Sequence, residues 1–435
     1  MSFPDFKIDG TKQRALAAAT LGFFFGAMAI SLFGPTARAL ADSMGLSPLE
    51  VGILVAVPSL SGSLLRIPFG ASVDVNGGSK PFKFLMICAV LGLIGLSVLF
   101  TLAYPNGLKG LYGLLLALGC LAGCGIATFS VGATQISYWY PKKEQGFALG
   151  LFGGFATTSA GLMAIALPLL LSTFGLVGAY YVITAVMVLG AVLYASLCAN
   201  APYFQYRDQG SSDAEARQKA AAHEQELFPT GNIVASLKTS ASIPQTWYLV
   251  GTYFTTFGGF MALTAWFPTY WREVHQLGAL HAGVLTALFS IVAALMRIPG
   301  GKVADRVGGV ATSMGGLLVT AIAAGLMVLD VNWVTQFVFT IVLAIAMGFN
   351  NAAAMKLIPV YIPQAVGGAS GWIGGLGAFG GFVLPPVLGA IVALYPGNGF
   401  GLGFLVFTVL SLANMLVNYL GMIRPARAGN VAKAH

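Results

Sequence analysis

Charge is what this sequence has least of. Of 435 residues only 8% are Asp, Glu, Lys or Arg, while 57% are hydrophobic; ordinary soluble domains carry roughly 25% charged residues. So few polar groups cannot cover a water-facing surface of this size. A soluble enzyme, a nucleic-acid reader and a disulfide-stapled secreted domain are excluded as the main body. Cysteine is also scarce. Cys88, Cys120, Cys124 and Cys198 all fall in apolar stretches, and no second Cys pair or His accompanies them, so they read as small packing residues without a metal or a disulfide. The four histidines (His223, His275, His281, His435) lie in loops or near helix ends. So do all fourteen acids. No metal cluster, Ser-His-Asp set or acid pair stands inside the apolar runs, so neither an enzyme nor a cofactor-binding protein is expected. The polar N-terminus, Met1 to Arg14, lacks the layout of a cleavable signal.

What the chain has instead is apolar length. A membrane helix needs about 20 mainly apolar residues, and such stretches lie near 15–37, 49–71, 82–103, 110–137, 147–173 and 177–198, then near 246–269, 280–301, 311–329, 334–358, 369–394 and 400–422. The fold expected is all-α and membrane-embedded, with twelve transmembrane helices in two six-helix halves, 1–199 and 246–435. The sustained hydrophilic stretch between them, 200–245, reads as a cytoplasmic linker with a short surface helix in the Ala/Glu/Gln-rich run from Asp213 to Leu227. Glycine is abundant, 57 residues, as suits helices that approach closely through small side chains. The net charge of +8 comes from basic residues scattered over short loops. Sixteen of them fall on one side and three on the other, which orients both termini and the linker toward the cytoplasm and calls for no nucleic-acid partner.

The two halves repeat one another. Leu65-Arg66-Ile67-Pro68-Phe69-Gly70-Ala71-Ser72-Val73-Asp74 matches Met296-Arg297-Ile298-Pro299-Gly300-Gly301-Lys302-Val303-Ala304-Asp305 at a constant offset of 231. A second match joins Gly150, Gly153 and Gly154 to Gly371, Gly374 and Gly375 at an offset of 221. Parallel repeats of this kind occur in transporters that bind their substrate at the midplane between halves. Arg66 and Arg297 carry the most information. Each is flanked by apolar residues about one turn inside its expected helix end, and a central Arg costs about 2.5–3.5 kcal/mol on insertion scales. Two readings are open: each Arg snorkels to the nearby surface, or the pair, without an internal acid, forms a positive site for an anion that accepts guanidinium forks. Tyr253 and Phe257 share a helix face at i, i+4, and read either as aromatic packing or as a hydroxyl beside an aromatic wall. Lys356, near the end of the tenth span, reads as a boundary residue. The missing membrane acids favour exchange or uniport over proton symport.

These residues resemble two patterns. Gly70, Asp74, Gly77 and Gly78, with Gly301, Asp305, Arg306, Gly308 and Gly309, resemble the paired loop motif of the major facilitator superfamily, which implies a gating role for Gly70, Asp74, Gly301, Asp305 and Arg306. Val75 stands where the first copy of that motif has Arg. Arg66, Arg297, Tyr253 and Phe257, together with Gly371-Trp372-Ile373-Gly374-Gly375-Leu376-Gly377 and the stretches 140–146 and 355–359, are similar to the nitrate/nitrite porters of that superfamily. The resemblance implies an inner-membrane carrier, without cofactor and monomeric, that works by alternating access in the lipid bilayer on a small anion, nitrate or nitrite. It also implies a substrate site of Arg66, Arg297, Tyr253, Phe257, Thr157, Gly154, Gly374 and Gly377. Thr157 stands where the family's first signature has Asn, and Ala156 and Ser159 replace two of its glycines. Another small anion, such as a carboxylate, and proton-coupled symport remain alternatives.

Overall fold

The computed structural model describes residues 8–33, 36–46, 48–229, 232–329, 331–395 and 397–424. Lys7, Arg427, Lys433 and the chain termini, which entered the orientation argument, lie outside the described residues, as does Asp330. Nine helical segments among the described residues are long and apolar enough to cross a membrane. One of them, Lys142–Leu197, is broken at Gly175, whose φ of +66° only glycine adopts freely, and so holds spans five and six. Spans two and seven, interrupted by a kink and a π-turn, complete twelve: Pro48–Leu64 with Arg66–Asn76, and Pro244–Tyr253 with Phe254–Gly258 and Gly259–Glu273.

The two kinks have one cause. In span two the helix breaks between Leu64 and Arg66, and in span eight (Ala279–Leu295, then Arg297–Val307) between Leu295 and Arg297. Pro68 and Pro299 each lack the N–H that would bond to the carbonyl four residues back, and each ring crowds that carbonyl, on Leu64 and Leu295. The Arg-Ile-Pro triplet therefore sets its arginine at the corner of a bent helix.

Both helices run further than the sequence suggests. They end at Asn76 and Val307, not at 71 and 301, because the polar Gly-x-x-x-Asp stretch stays helical and packs against the opposite half. Arg66 is thus ten residues from its helix end, or about 15 Å at 1.5 Å per residue. That is much deeper than one turn.

The linker is folded. Pro202–Asp208, Asp213–Ala221 and Ile233–Ala241 are helices. The second is started by a capping box between Ser212 and Glu215. Its first part is tied to the N-terminal half by Lys12, which bridges Glu144 at 3.0 Å and Glu224 at 3.2 Å.

Candidate functional site

Arg66 and Arg297 are buried to 0% and 1% exposure, which removes the snorkelling reading for both. The cause is a crosswise cradle of glycines. On span five, a Cβ at Gly154 would stand 2.7 Å from the Ala294 carbonyl, one at Gly150 would strike the Arg297 carbonyl, and one at Gly153 would stand 2.6 Å from Nη2 of Arg297. On span eleven (Val366–Ala378, then Gly380–Leu394), Gly375 faces the Ser63 carbonyl at 2.9 Å, Gly371 the Ile67 carbonyl at 2.6 Å, and Gly374 the Arg66 Cδ at 3.7 Å. Ala294 and Ser63 each lie three residues before their arginine, so the two contacts are the same contact made twice. Each half's glycines hold the other half's arginine. Gly154 is thus a helix-packing residue, touching Ala294, Ile298 and the Arg297 Cβ.

Aromatic rings fill the space between the guanidiniums. The Cζ of Arg66 lies 4.8 Å from the ring centre of Phe129 and 5.4 Å from that of Phe257; the Cζ of Arg297 lies 5.4 Å from each. Cation–π contacts of this kind offset part of the charge. Tyr253 and Phe257 stack at 4.8 Å, and Phe129 stacks on Phe257 at 5.9 Å. The π-turn Phe254–Gly258 lies between and around these two residues of span seven, a distortion often found at functional sites. Gly377 lets span eleven close over Tyr253, whose Cδ1 would be 2.6 Å from an added Cβ. Phe129, on span four (Tyr112–Trp139), is a central member of the cluster that sequence reasoning missed.

The hydrogen-bond inventory is uneven. Arg66 donates from Nη1 to the Gly374 carbonyl at 3.0 Å and from Nη2 to the Ile126 carbonyl at 3.3 Å. Arg297 donates from Nη2 to the Tyr253 hydroxyl at 3.2 Å. Nε of Arg66, and both Nε and Nη1 of Arg297, are buried with no partner among the described residues. Buried donors are normally satisfied, because an unmet one costs about 1–3 kcal/mol and more when charged. Three unmet cationic donors, two of them on the Arg297 guanidinium, suit an anion that accepts charge-assisted hydrogen bonds. Thr157 is buried nearby but donates its hydroxyl to the Gly153 carbonyl at 2.5 Å, so its proton is already engaged on its own helix.

At one end of the bundle the halves are joined by two carboxylates, one from each repeat. Asp305 accepts from Gly146 N at 3.1 Å, Phe147 N at 2.8 Å and Lys356 Nζ at 2.5 Å. Asp74 accepts from Tyr138 at 2.5 Å, from Gly367 N at 3.1 Å and Gly368 N at 3.4 Å, and from the Ser236 hydroxyl. Beside them Gly301 packs on the Gly146 carbonyl and Gly70 on that of Gly367, the latter at 3.0 Å from an added Cβ. Lys356 lies outside the arginine cluster, with Asp305 as its partner. Arg306 is exposed and makes no hydrogen bond or ion pair among the described residues, so it stands apart from this cluster.

Comparison with known proteins bears on the family and the fold. Residues 19–309 and 275–434 match the sequence profile of the Major Facilitator Superfamily. The chain is 29% identical over 365 residues to the probable nitrate/nitrite transporter NarK2 of Mycobacterium tuberculosis, covering 83% of this chain and 84% of that one. It is also 29% identical to the probable nitrate/nitrite antiporter NarK1 of Thermus thermophilus, over 86% and 84% of the two chains. Among solved structures, the fucose:proton symporter FucP of E. coli superposes with a TM-score of 0.71 at 15% identity, covering 93% of this chain and 98% of that one. At that identity the likeness is one of fold.

Proposed function

The chain belongs to the Major Facilitator Superfamily, a family of multi-pass membrane transporters, and on that premise we propose that it exchanges nitrate and nitrite across the cell inner membrane by alternating access. The observation that carries the proposal is the set of buried, unpartnered guanidinium donors on Arg66 and Arg297, one arginine from each half. The names of the nitrate and nitrite relatives support the choice of anion.

In this reading the anion lies among the two guanidiniums, Tyr253 orients Arg297, and Phe129 and Phe257 form apolar walls. An anion bound to both arginines neutralises charge that would otherwise repel across the closing halves, so binding favours closure. Residues 1–199 and 246–435 move as the two rocking units, and the glycine ladders of spans five and eleven are the surfaces they share. Gly154, Gly374 and Gly377 then act on substrate indirectly, by setting how near the helices come. Asp74 and Asp305, with Gly70 and Gly301, form the cytoplasmic gate. The distribution of basic residues supports a cytoplasmic position for both termini and the linker, and with both arginines on one chain a monomer suffices.

The test is counterflow in proteoliposomes loaded with nitrite, nitrate, a small carboxylate or nothing, following labelled nitrate with and without a pH gradient. Uptake confined to nitrite- or nitrate-loaded vesicles and indifferent to pH is expected. Uptake into empty vesicles that follows the proton gradient refutes exchange; uptake driven by the carboxylate load alone moves the proposal to an organic anion.

A further inference from the structure

Among their differences, the two repeat copies of the gate segment diverge just after the shared aspartate. Arg306 follows Asp305, but Val75 follows Asp74. Asp305 is paired with Lys356, whereas Asp74, 0% exposed, forms no ion pair among the described residues. A buried carboxylate needs donors from some source. One of those on Asp74 comes from outside both six-helix halves. It is Ser236, in the linker helix Ile233–Ala241.

Ser236 is buried and two-sided. Its hydroxyl donates to Asp74 Oδ2 and accepts the Gly368 N–H at 3.0 Å, so one atom joins the end of span two to the start of span eleven. The linker helix is seated on span eleven by more than this bond. Trp372 Nε1 donates to the Leu237 carbonyl at 3.2 Å, and a Cβ on Gly368 would stand 2.6 Å from Ser240 Oγ. The helix also runs on, past a cap at Ser242, into span seven at Pro244, so it is tethered to the C-terminal half.

We propose that this linker helix is a strap across the cytoplasmic gate and that Ser236 is its clasp. Opening toward the cytoplasm parts Asp74 from Gly367 and Gly368. The strap, tethered to the C-terminal half, stays with span eleven, and the Ser236–Asp74 bond breaks in every cycle. Ser236 is a positioning residue that sets how often the gate opens, and it touches no substrate. The inference rests on alternating access but not on which anion is carried.

The experiment is hydrogen–deuterium exchange on the full chain in detergent without substrate, comparing wild type with Ser236→Ala and Ser236→Thr. Losing a hydrogen bond to a charged group should raise opening about tenfold or more. Ser236→Ala is therefore expected to exchange about tenfold faster over 233–241 and 366–372, with span four unchanged as the measure of an intact fold. Ser236→Thr, which keeps the hydroxyl, should exchange close to wild type. Unchanged exchange in Ser236→Ala, or equal acceleration in both variants, overturns the proposal. None of these readouts needs nitrate, so a wrong anion and a wrong strap give different results.

Discussion

Gly153→Ala adds one carbon, and the place where that carbon lands makes a sharp prediction. It would stand 2.6 Å from Nη2 of Arg297, 2.8 Å from Cζ and 3.1 Å from Nε. Non-bonded carbon contacts settle at about 3.5–4.0 Å, so the guanidinium must retreat by roughly 1 Å. The fold should tolerate this, because only the tip of a flexible side chain moves. The site should not, because the retreat strains the 3.2 Å bond to Tyr253 and turns the two unpartnered donors away. A hydrogen bond to a charged group is worth about 1.5–3 kcal/mol, which at 1.4 kcal/mol per decade is about 10- to 150-fold in half-saturating anion. The repeat-related Gly374→Ala is the control. Its Cβ would meet the Ser130 hydroxyl at 2.5 Å but only an ordinary 3.7 Å contact with Arg66, and Ser130 can turn away from its bond to the Ser370 carbonyl. Counterflow rates against nitrate concentration, with thermal unfolding as the check on folding, decide the matter. A Gly153→Ala protein that saturates at the wild-type concentration, or a Gly374→Ala protein equally impaired, refutes the reasoning.

Other outcomes follow from the same contacts. Arg297→Lys keeps the charge but removes the planar fork, and should raise half-saturating nitrate at least tenfold in counterflow; unchanged saturation would sink the bidentate reading. Gly371→Ala places its Cβ 2.6 Å from a backbone carbonyl, which cannot swing aside, so stability should fall by about 1–3 kcal/mol, measured as a lower Tm. Lys356→Ala leaves the partly buried Asp305 carboxylate without its cation, a loss of up to about 3 kcal/mol, the low end for a buried pair, while Lys356→Met with Asp305→Asn should lose much less in the same assay. In the linker, the Tyr203 hydroxyl and the Arg217 guanidinium hold the Asp213 carboxyl below its ordinary value. A depressed folded pKa contributes stability that is complete above the unfolded value of about 3.9 and lost as pH falls through the folded one. Amide exchange protection of 202–221, corrected for intrinsic rate, should therefore be flat from about pH 8 to 5; a decline within that window contradicts the assignment.

The span count and the arginine pair were legible because they break rules that apolar sequence otherwise obeys. Arg66 and Arg297 are cations where hydrocarbon is expected, and the shared Arg-Ile-Pro offset marks them as equivalents. Tyr253 and Phe257 were marked by helical spacing, which left packing and a site role open, and by the family resemblance. Phe129 was not, since one of 30 phenylalanines carries no local mark of the ring faces it offers to distant arginines. Helix ends were misplaced at 71 and 301 because Gly-x-x-x-Asp has the composition of a loop, and only packing against the other half keeps it helical. Ser236 was invisible for a similar reason. It lies in a segment read as solvated linker, and its burial depends on Asp74, 162 residues away.

The crossed glycine ladders have a consequence for where the site resides. Arg66 is shaped by span eleven and Arg297 by span five, so neither six-helix piece carries a finished arginine cradle, and severing the polypeptide between them would yield two fragments that each lack the mould for their own arginine. Complementation of such fragments would report assembly and ligand recognition as one event. The same reciprocity couples the repeats sterically: a bulkier residue on either ladder is felt in the other half.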